Sequence, residues 1–329
     1  MQSTNVPHPF DAEYEDLLSL WSDLEAGVGM VLRKARLIPD FPRKIRQYDR
    51  WMQDMLRQDT DTGLYLLFQL ASNSSLGYSS SHALICAVLC NIIAHEVPLP
   101  AGERDSLVAA AMTMNVAMTE LQNELAEQAD KPTPQQQAGI QTHALEGRLL
   151  LEEVGVADSL WLDVVEIHHD VEPSEDDLFK LEPVHRLARI LHVVDRYAAM
   201  ISPRKTRAGR TVTESVRTMM TRADGLRDQV AFALVRAVGL CPPGTYVRMD
   251  TGETAVVLRR GSKANHPMVA TVLNRMGDKL SSPRLHRTAM GGPAIQSALT
   301  HEMVRQRVRI NHQNLLRLGF QAERVHKDG

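Results

Sequence analysis

The sequence predicts a mainly helical fold, a bundle that begins with N-terminal helices and ends in a small extension containing β-strands. Two observations carry this prediction. Aromatic residues make up 5% of the 329 residues, whereas 43% are hydrophobic and 15 are Met, a composition that favours aliphatic packing between helices over a β-sandwich. Apolar residues also recur at helical spacing up to about residue 240, where short alternating segments take over.

The predicted helices are separated by prolines. Pro39 and Pro42 end the first segment, and Pro98 and Pro100 close the fourth. Pro183 stands at the first turn of a long segment, where proline is well tolerated. We therefore expect helices over 11–37, 43–58, 62–71, 80–95, 103–128, 134–154, 159–169, 183–201, 212–220 and 226–238.

The C-terminal extension is predicted from a hairpin signal. Strands over 245–249 and 254–259 flank an Asp-Thr-Gly-Glu turn, and 269–274 is a candidate third strand. A final helix is expected over 294–318. These changes of pattern divide the chain into an N-terminal helical region, 1–65, a helical domain, 66–240, and the extension with its terminal helix, 241–329.

The cysteines and the apolar segments indicate in which cellular compartment the protein is expected. Cys86 and Cys90 stand one helical turn apart in an apolar run, and Cys241 is isolated. An odd number without framework spacing argues against a disulfide scaffold, so we interpret all three as small buried hydrophobes. Neither a signal-peptide pattern nor an uncharged apolar window of about 18 residues is evident. We therefore expect a cytoplasmic protein with no membrane span.

Charge divides the chain in two. Residues 1–200 carry 15 Lys and Arg against 31 Asp and Glu, a net charge of −16, whereas residues 201–329 carry 22 against 9, a net charge of +13. The basic part suits an anionic ligand or an acidic partner surface, and it equally suits pairing with the acidic part of its own chain. Few aromatics accompany the basic residues, so we expect no nucleic-acid polymer as a partner.

Five polar residues lie on predicted helices, or at their ends, among apolar neighbours: His82, His143, His168, His169 and Asp195. Buried imidazoles and carboxylates need partners, and such side chains from several helices suit Fe, Mn or Zn in a bundle core. Taken singly, each is more often a hydrogen-bonded core residue than a ligand. The adjacent His pair is less usual, because neighbouring helical residues point in different directions unless the helix ends there.

The order of these residues resembles the HD-GYP family of bacterial cyclic di-GMP phosphodiesterases over roughly residues 70–260. The matching stretches are SSSHALICAVLC, THALEGRLLLEEVGV, VVEIHHD, LARILHVVDRYAAMISPRKTR and LCPPGTYVRMDTGETAVVL. The resemblance implies an HD-like helical bundle that acts on cyclic di-GMP. It also implies a divalent metal, Fe, Mn or Zn, held by His82, His143, His168, His169 and Asp195.

The resemblance further implies that Arg204 and Arg207 lie near the substrate phosphates. Bidentate guanidinium groups suit phosphate oxygens. The alternative for both residues is a solvated loop after Pro203.

The chain departs from the family pattern where a metal-bridging His-Asp pair should stand. Met114 and Asn115 occupy those positions, Met118 replaces the Lys that usually follows, and Tyr78 replaces a carboxylate before the first ligand. The Gly-Tyr-Pro loop is absent after His169. Asn lacks the charge of a bridging Asp, and Met offers only a soft thioether. We therefore expect a reduced metal site, or none, and no ordinary two-metal phosphodiesterase.

Two functions remain open, and we favour the first. The first is a degenerate signalling domain that binds cyclic di-GMP, a related nucleotide or a protein partner with weak or no hydrolysis, its Met residues simply packing the core. The second is an active phosphodiesterase with a reduced metal site, where a bound water attacks the phosphodiester. A third hypothesis, a homodimeric scaffold, would use the N-terminal helices and the basic segment 302–317. Packing of that segment on its own domain is the simpler interpretation.

Overall fold

A computed structural model describes the protein over residues 9–73, 77–171, 177–202, 210–220, 228–305 and 311–327. Helices dominate, and a small antiparallel sheet forms near the C-terminus. The predicted mainly helical fold with a β-containing extension is therefore confirmed. Its core is a cluster of mostly aliphatic side chains that extends from Leu17 on the first helix to Leu316 on the last, as the low aromatic content indicates.

Three N-terminal helices start the fold: α1 (Pro9–Arg33), α2 (Phe41–Gln58) and α3 (Thr60–Asn73). A 3-10 turn over Ala35–Leu37 separates the first two. Asp59 separates α2 from α3, and its carboxylate accepts hydrogen bonds from the Thr62 backbone N–H (3.0 Å) and hydroxyl (2.7 Å). A carboxylate in this position stabilises the start of a helix.

The helix α4 (Tyr78–Glu96) runs through the centre of the bundle, and most of its side chains are buried. Its length and hydropathy would let it cross a membrane, but 89% of that stretch is buried inside the protein. Across the described part of the chain, no second helix is long and apolar enough to do so. We therefore assign α4 as the core helix of the bundle.

Residues 103–128 are largely helical, as predicted, but they form three segments. The helix α5 (Ala101–Thr113) ends before Met114 and Asn115, a 3-10 turn covers Val116–Met118, and α6 (Thr119–Glu127) follows. The junction combines β-branched residues with an Asn, all of lower helix propensity than Ala or Leu. These propensities weaken the helix at the point where the chain turns.

The later helices carry most of the candidate site residues. They are α7 (Pro134–Glu153), α8 (Ser159–Ile167), α9 (Pro183–Ile201), α10 (Val212–Met220) and α11 (Gln229–Val238). Thr133 and Gln136 form a reciprocal capping box at the start of α7, which satisfies two otherwise unpaired donors. Asp158 and Asp228 cap α8 and α11 in the same manner, by accepting a backbone N–H.

Five strands form one antiparallel sheet in the order β4-β3-β2-β1-β5. They are β1 (Tyr246–Met249), β2 (Thr254–Arg259), β3 (Met268–Leu273), β4 (Lys279–Arg287) and β5 (Ile295–Leu299). The first three match the predicted strands closely. Their side chains are almost all buried. They include several β-branched residues, which are typical of strands and made these segments recognisable in the sequence.

The prediction of one helix over 294–318 is wrong. β5 occupies its start, and α12 (His301–Arg305) and α13 (His312–Lys327) follow. β5 pairs with β1, with Val247 opposite Ala298, so a tertiary contact decides its conformation. β4 was also missed, because every residue in it keeps some exposure and apolar alternation is lacking.

An ion-pair clasp of Asp59, Asp61, Arg259 and Arg260 holds the sheet against the N-terminal helices. Arg259 Nη2 lies 2.7 Å from Asp59 Oδ2, and Arg260 Nε lies 2.5 Å from Asp61 Oδ1. Gly244 allows the close approach: its φ is +90°, and a Cβ there would lie 2.8 Å from a backbone carbonyl of α3. The boundaries that we drew at residues 65 and 240 stay predictions.

Candidate metal centre

His82 and Asp195 form a hydrogen-bonded pair between α4 and α9. His82 Nε2 lies 2.8 Å from Asp195 Oδ1, and their side chains are 1% and 17% exposed. The ring of Tyr78 stacks on His82 with centroids 5.4 Å apart. Among the described residues, His82 Nδ1 has no hydrogen-bond partner. The pair thus places an imidazole and a carboxylate in a largely dry environment.

The pKa of Asp195 reports its neighbours. Burial by itself would raise this pKa, but the hydrogen bond and charge of His82 outweigh it, so the pKa lies well below its usual range. The imidazoles of His168 and His169 act in the same direction. Asp195 is therefore within electrostatic reach of His residues from α4 and from the end of α8.

His143 on α7 and His168 after α8 turn ring nitrogens toward each other. His143 Nδ1 donates to the Ile140 carbonyl (2.6 Å), and His168 Nδ1 donates to the Val165 carbonyl (2.7 Å). Since each neutral ring carries one proton, both Nε2 atoms then present lone pairs, and these atoms are 3.4 Å apart. Two facing acceptors at this distance call for a cation between them.

His169 joins the same group. Its ring centroid lies 4.0 Å from that of His168 and 5.1 Å from that of His143. The helix α8 ends at Ile167, which frees two adjacent side chains to face one neighbour. Donor atoms of the three rings lie within 4.8 Å of one another. We call His143, His168 and His169 the imidazole triad.

Burial favours the neutral forms of His168 and His169. It lowers the pKa of His168 to about 3, and the neighbouring His169 contributes in the same direction. Burial also lowers the pKa of His169. A neutral imidazole is the form that binds metals, so near neutral pH His168 does not hold a proton between the facing Nε2 atoms.

The donor set and spacing of the triad fit a divalent cation. Two imidazole nitrogens on a tetrahedral Zn²⁺, with bonds of about 2.0–2.1 Å, stand about 3.3–3.4 Å apart. The distance between His143 Nε2 and His168 Nε2 is 3.4 Å. Imidazoles with a nearby carboxylate are suited to Zn, Fe or Mn. The assignment of these residues as ligands stays a prediction that the geometry favours.

The Met114–Asn115 pair adjoins both α4 and α7, the helices that carry His82 and His143. Both residues line a small cavity together with residues that flank His82 on α4. A Cβ on Gly147, one turn after His143 on α7, would lie 3.5 Å from the Met114 carbonyl. Met114 is 1% exposed. Where the motif resemblance expects a bridging carboxylate, the chain therefore has a packed thioether and an uncharged amide.

Three further residues were considered for the site: Met118, Arg204 and Arg207. Met118 is half-buried at the start of α6. Arg204 and Arg207 fall within 203–209, outside the described residues. Their proposed role near phosphates stays a prediction.

Two residues at the site were not among those predicted for it. Cys86 is buried, as expected, but its Sγ also lies 3.6 Å from His82 Nε2. His192 Nδ1 lies 3.1 Å from the carbonyl oxygen of His168. Cys86 follows His82 by four residues, and His192 precedes Asp195 by three. These spacings place each pair on one helix face. They are the sequence signal from which Cys86 and His192 could have been predicted as site residues.

Comparison with known proteins agrees with the motif resemblance. A curated cyclic di-GMP phosphodiesterase of Pseudomonas aeruginosa is 25% identical to the chain over 201 residues, which is 60% of this chain and 49% of that protein. The chain thus spans about half the length of that relative. No protein-family profile and no solved structure match this chain. Over three fifths of its length, the chain is therefore similar to a cyclic di-GMP phosphodiesterase.

Proposed function

We propose that this protein is a metal-binding domain of cyclic di-GMP signalling, which binds cyclic di-GMP or a related nucleotide with weak or no hydrolysis. The observation that carries the proposal is the 3.4 Å approach of His143 Nε2 and His168 Nε2, both of whose Nδ1 protons are committed to backbone carbonyls. Nucleotide chemistry is supported by the similarity to a cyclic di-GMP phosphodiesterase.

The imidazole triad would hold the cation, whereas Asp195 belongs to a separate group of donor atoms with His82 and Cys86 and lies within electrostatic reach of His168 and His169. A bound divalent cation with an open position attracts a phosphate oxygen as a Lewis acid. The helical packing serves this role, because α7, the turn after α8, and α9 bring their residues to one region of the bundle. Rigid placement reduces the ordering that a ligand would otherwise have to impose.

Weak or absent hydrolysis is supported by the residue types at Met114, Asn115 and Met118. Activation of a water by two cations needs an anionic bridge to hold them about 3.5–4 Å apart. Asn115 is uncharged, and Met114 is buried against its neighbours. Met118 likewise supplies no positive charge to stabilise a developing transition-state charge.

A residual phosphodiesterase is the second candidate, and His192 favours it. Its Nδ1 hydrogen bond to the His168 carbonyl leaves Nε2 as an acceptor beside the triad. Its ring centroid lies 6.3 Å from that of His169. An acceptor near a cation-bound water is suited to act as a general base. Binding of a protein partner in place of the nucleotide stays a prediction. A homodimer also stays a prediction, and a mass measurement in solution would test it.

Metal analysis combined with calorimetric titration of cyclic di-GMP tests the proposal on the full chain. We expect bound transition metal, nucleotide affinity that disappears with a chelator, and little conversion to linear product by chromatography. His168→Ala should lose both metal and affinity. The matched control is His185→Ala, since His185 is an exposed residue of α9.

Two other outcomes decide against the proposal. Rapid turnover that falls with His192→Ala would support the residual phosphodiesterase. A wild-type protein that binds neither metal nor nucleotide would refute both candidates. Circular dichroism of each variant separates loss of the site from loss of the fold.

A further inference from the structure

We infer that Cys86 is a thiolate ligand of a second divalent cation, which it holds together with His82 and Asp195 beside the imidazole triad. The inference rests on the proposed metal-binding function and deepens it, since it adds a site and a metal preference. Nothing in the motif pattern calls for a sulfur ligand here. Three donor atoms of His82, Cys86 and Asp195 lie within 4.8 Å of one another.

The geometry of α4 brings the first two donors together. Cys86 follows His82 by one turn, so both side chains lie on one helix face. Cys86 Sγ is 3.6 Å from His82 Nε2. A tetrahedral Zn²⁺ with Zn–S of about 2.3 Å and Zn–N of about 2.0–2.1 Å would separate these atoms by about 3.6 Å. The apposition therefore needs almost no movement to accept a cation.

Asp195 supplies the third donor from α9. Its Oδ1 lies 2.8 Å from His82 Nε2, and the three donor atoms lie within 4.8 Å of one another. A cation that replaced the shared proton would separate the nitrogen and oxygen to about 3.3 Å. That is an adjustment of about half an ångström, within reach of a carboxylate rotation.

The chemistry of the set selects a borderline or soft cation. Thiolate and imidazole favour Zn²⁺ over Mg²⁺, Ca²⁺ and Mn²⁺, which prefer oxygen. On binding, the Cys86 thiol loses its proton to solvent as the sulfur–metal bond forms, with no change of oxidation state. The thiolate and the Asp195 carboxylate together neutralise a dication. Cys86 thereby supplies a second anionic ligand beside Asp195.

The other cysteines provide the control. Cys90 lies one further turn along α4 and is also buried, yet it belongs to neither group of neighbouring donor atoms found among the described residues. Cys241 is distant in sequence, on the approach to the sheet. Burial in the apolar core is therefore shared by all three cysteines, whereas contact with His82 distinguishes Cys86.

Cobalt loading of the metal-free full chain tests the inference. We expect about two Co²⁺ per chain and a near-ultraviolet sulfur-to-cobalt charge-transfer band. Cys86→Ser should abolish the band and reduce the stoichiometry to about one, whereas Cys90→Ser should leave both unchanged. Should the Cys86 variant fail to fold, X-ray absorption of the zinc-loaded wild type still requires a sulfur neighbour at about 2.3 Å.

The outcomes distinguish this inference from the function that it rests on. One cobalt bound without a charge-transfer band or sulfur neighbour would overturn the thiolate site and leave the triad intact. A band that survives Cys86→Ser and disappears with Cys90→Ser would also overturn it. No cobalt bound at all would refute the proposed function together with the second site.

Discussion

Substitution of Arg259 tests how the sheet is attached to the helices. The side chain is 6% exposed and lies between Asp59 and Asp61, whose side chains are 12% and 15% exposed. Arg259→Met keeps most of the apolar stem and removes the charge. Asp59 is then left nearly buried without its guanidinium partner.

The expected cost is about 3 kcal/mol of unfolding free energy. Removal of one partner from a buried ion pair typically costs about 3–5 kcal/mol, because the other charge stays uncompensated. The lower end applies here for two reasons. Asp59 keeps its hydrogen bonds from Thr62, and Asp61 keeps Arg260.

Urea unfolding followed by circular dichroism measures this cost. The matched control is Arg236→Met, because Arg236 is 65% exposed and pairs with Glu96 at the surface, where such pairs contribute about 0–1 kcal/mol. A double-mutant cycle with Asp59→Asn should return a coupling energy above about 1 kcal/mol. If Arg259→Met and Arg236→Met destabilise the protein equally, the clasp does not hold the sheet as we argue.

Three further predictions concern pH, a close contact and the metal centre. Burial lowers the pKa of His168 to about 3 from 6.5, so the unfolded chain takes up the proton first. The stability of the metal-free protein should therefore fall as pH decreases from about 6.5 toward 3, by up to about 1.4 kcal/mol per pH unit. Urea unfolding with a chelator at pH 6.5 and 5 measures this fall, and equal slopes in wild type and His168→Gln would contradict it. Gly244→Ala should lower the unfolding free energy more than Gly252→Ala, because both glycines have positive φ but only a Cβ at Gly244 would meet a backbone carbonyl at 2.8 Å. The difference, measured by thermal unfolding, should be about 1 kcal/mol or more. Equal losses of stability would refute the close contact. The double substitution Met114→His with Asn115→Asp should raise metal content and hydrolysis of cyclic di-GMP, since it introduces an imidazole and an anionic carboxylate. An unchanged metal content would count against a position of that pair at the metal centre.

Local signals in the sequence were sufficient for much of the helical part. The bounds of α7 and α9 match the predicted ranges to within one residue, because Thr133 caps one helix and prolines begin both. β1 and β2 were predictable for a similar reason, since a short polar turn separates two apolar runs. The residue types of the candidate centre, four His and one Asp, were also evident, because such side chains are unusual among apolar neighbours.

Tertiary structure decided the rest, because it depends on partners that are distant in the chain. β5 is a strand through its pairing with β1, and the same residues read alone favour a helix. The facing of His143 toward His168 requires α7 to lie against the end of α8. The contact of Cys86 with His82, and of both with Asp195, requires α4 to cross α9. A sequence determines which side chains are able to bind a metal, whereas packing of the helices determines whether their donor atoms meet.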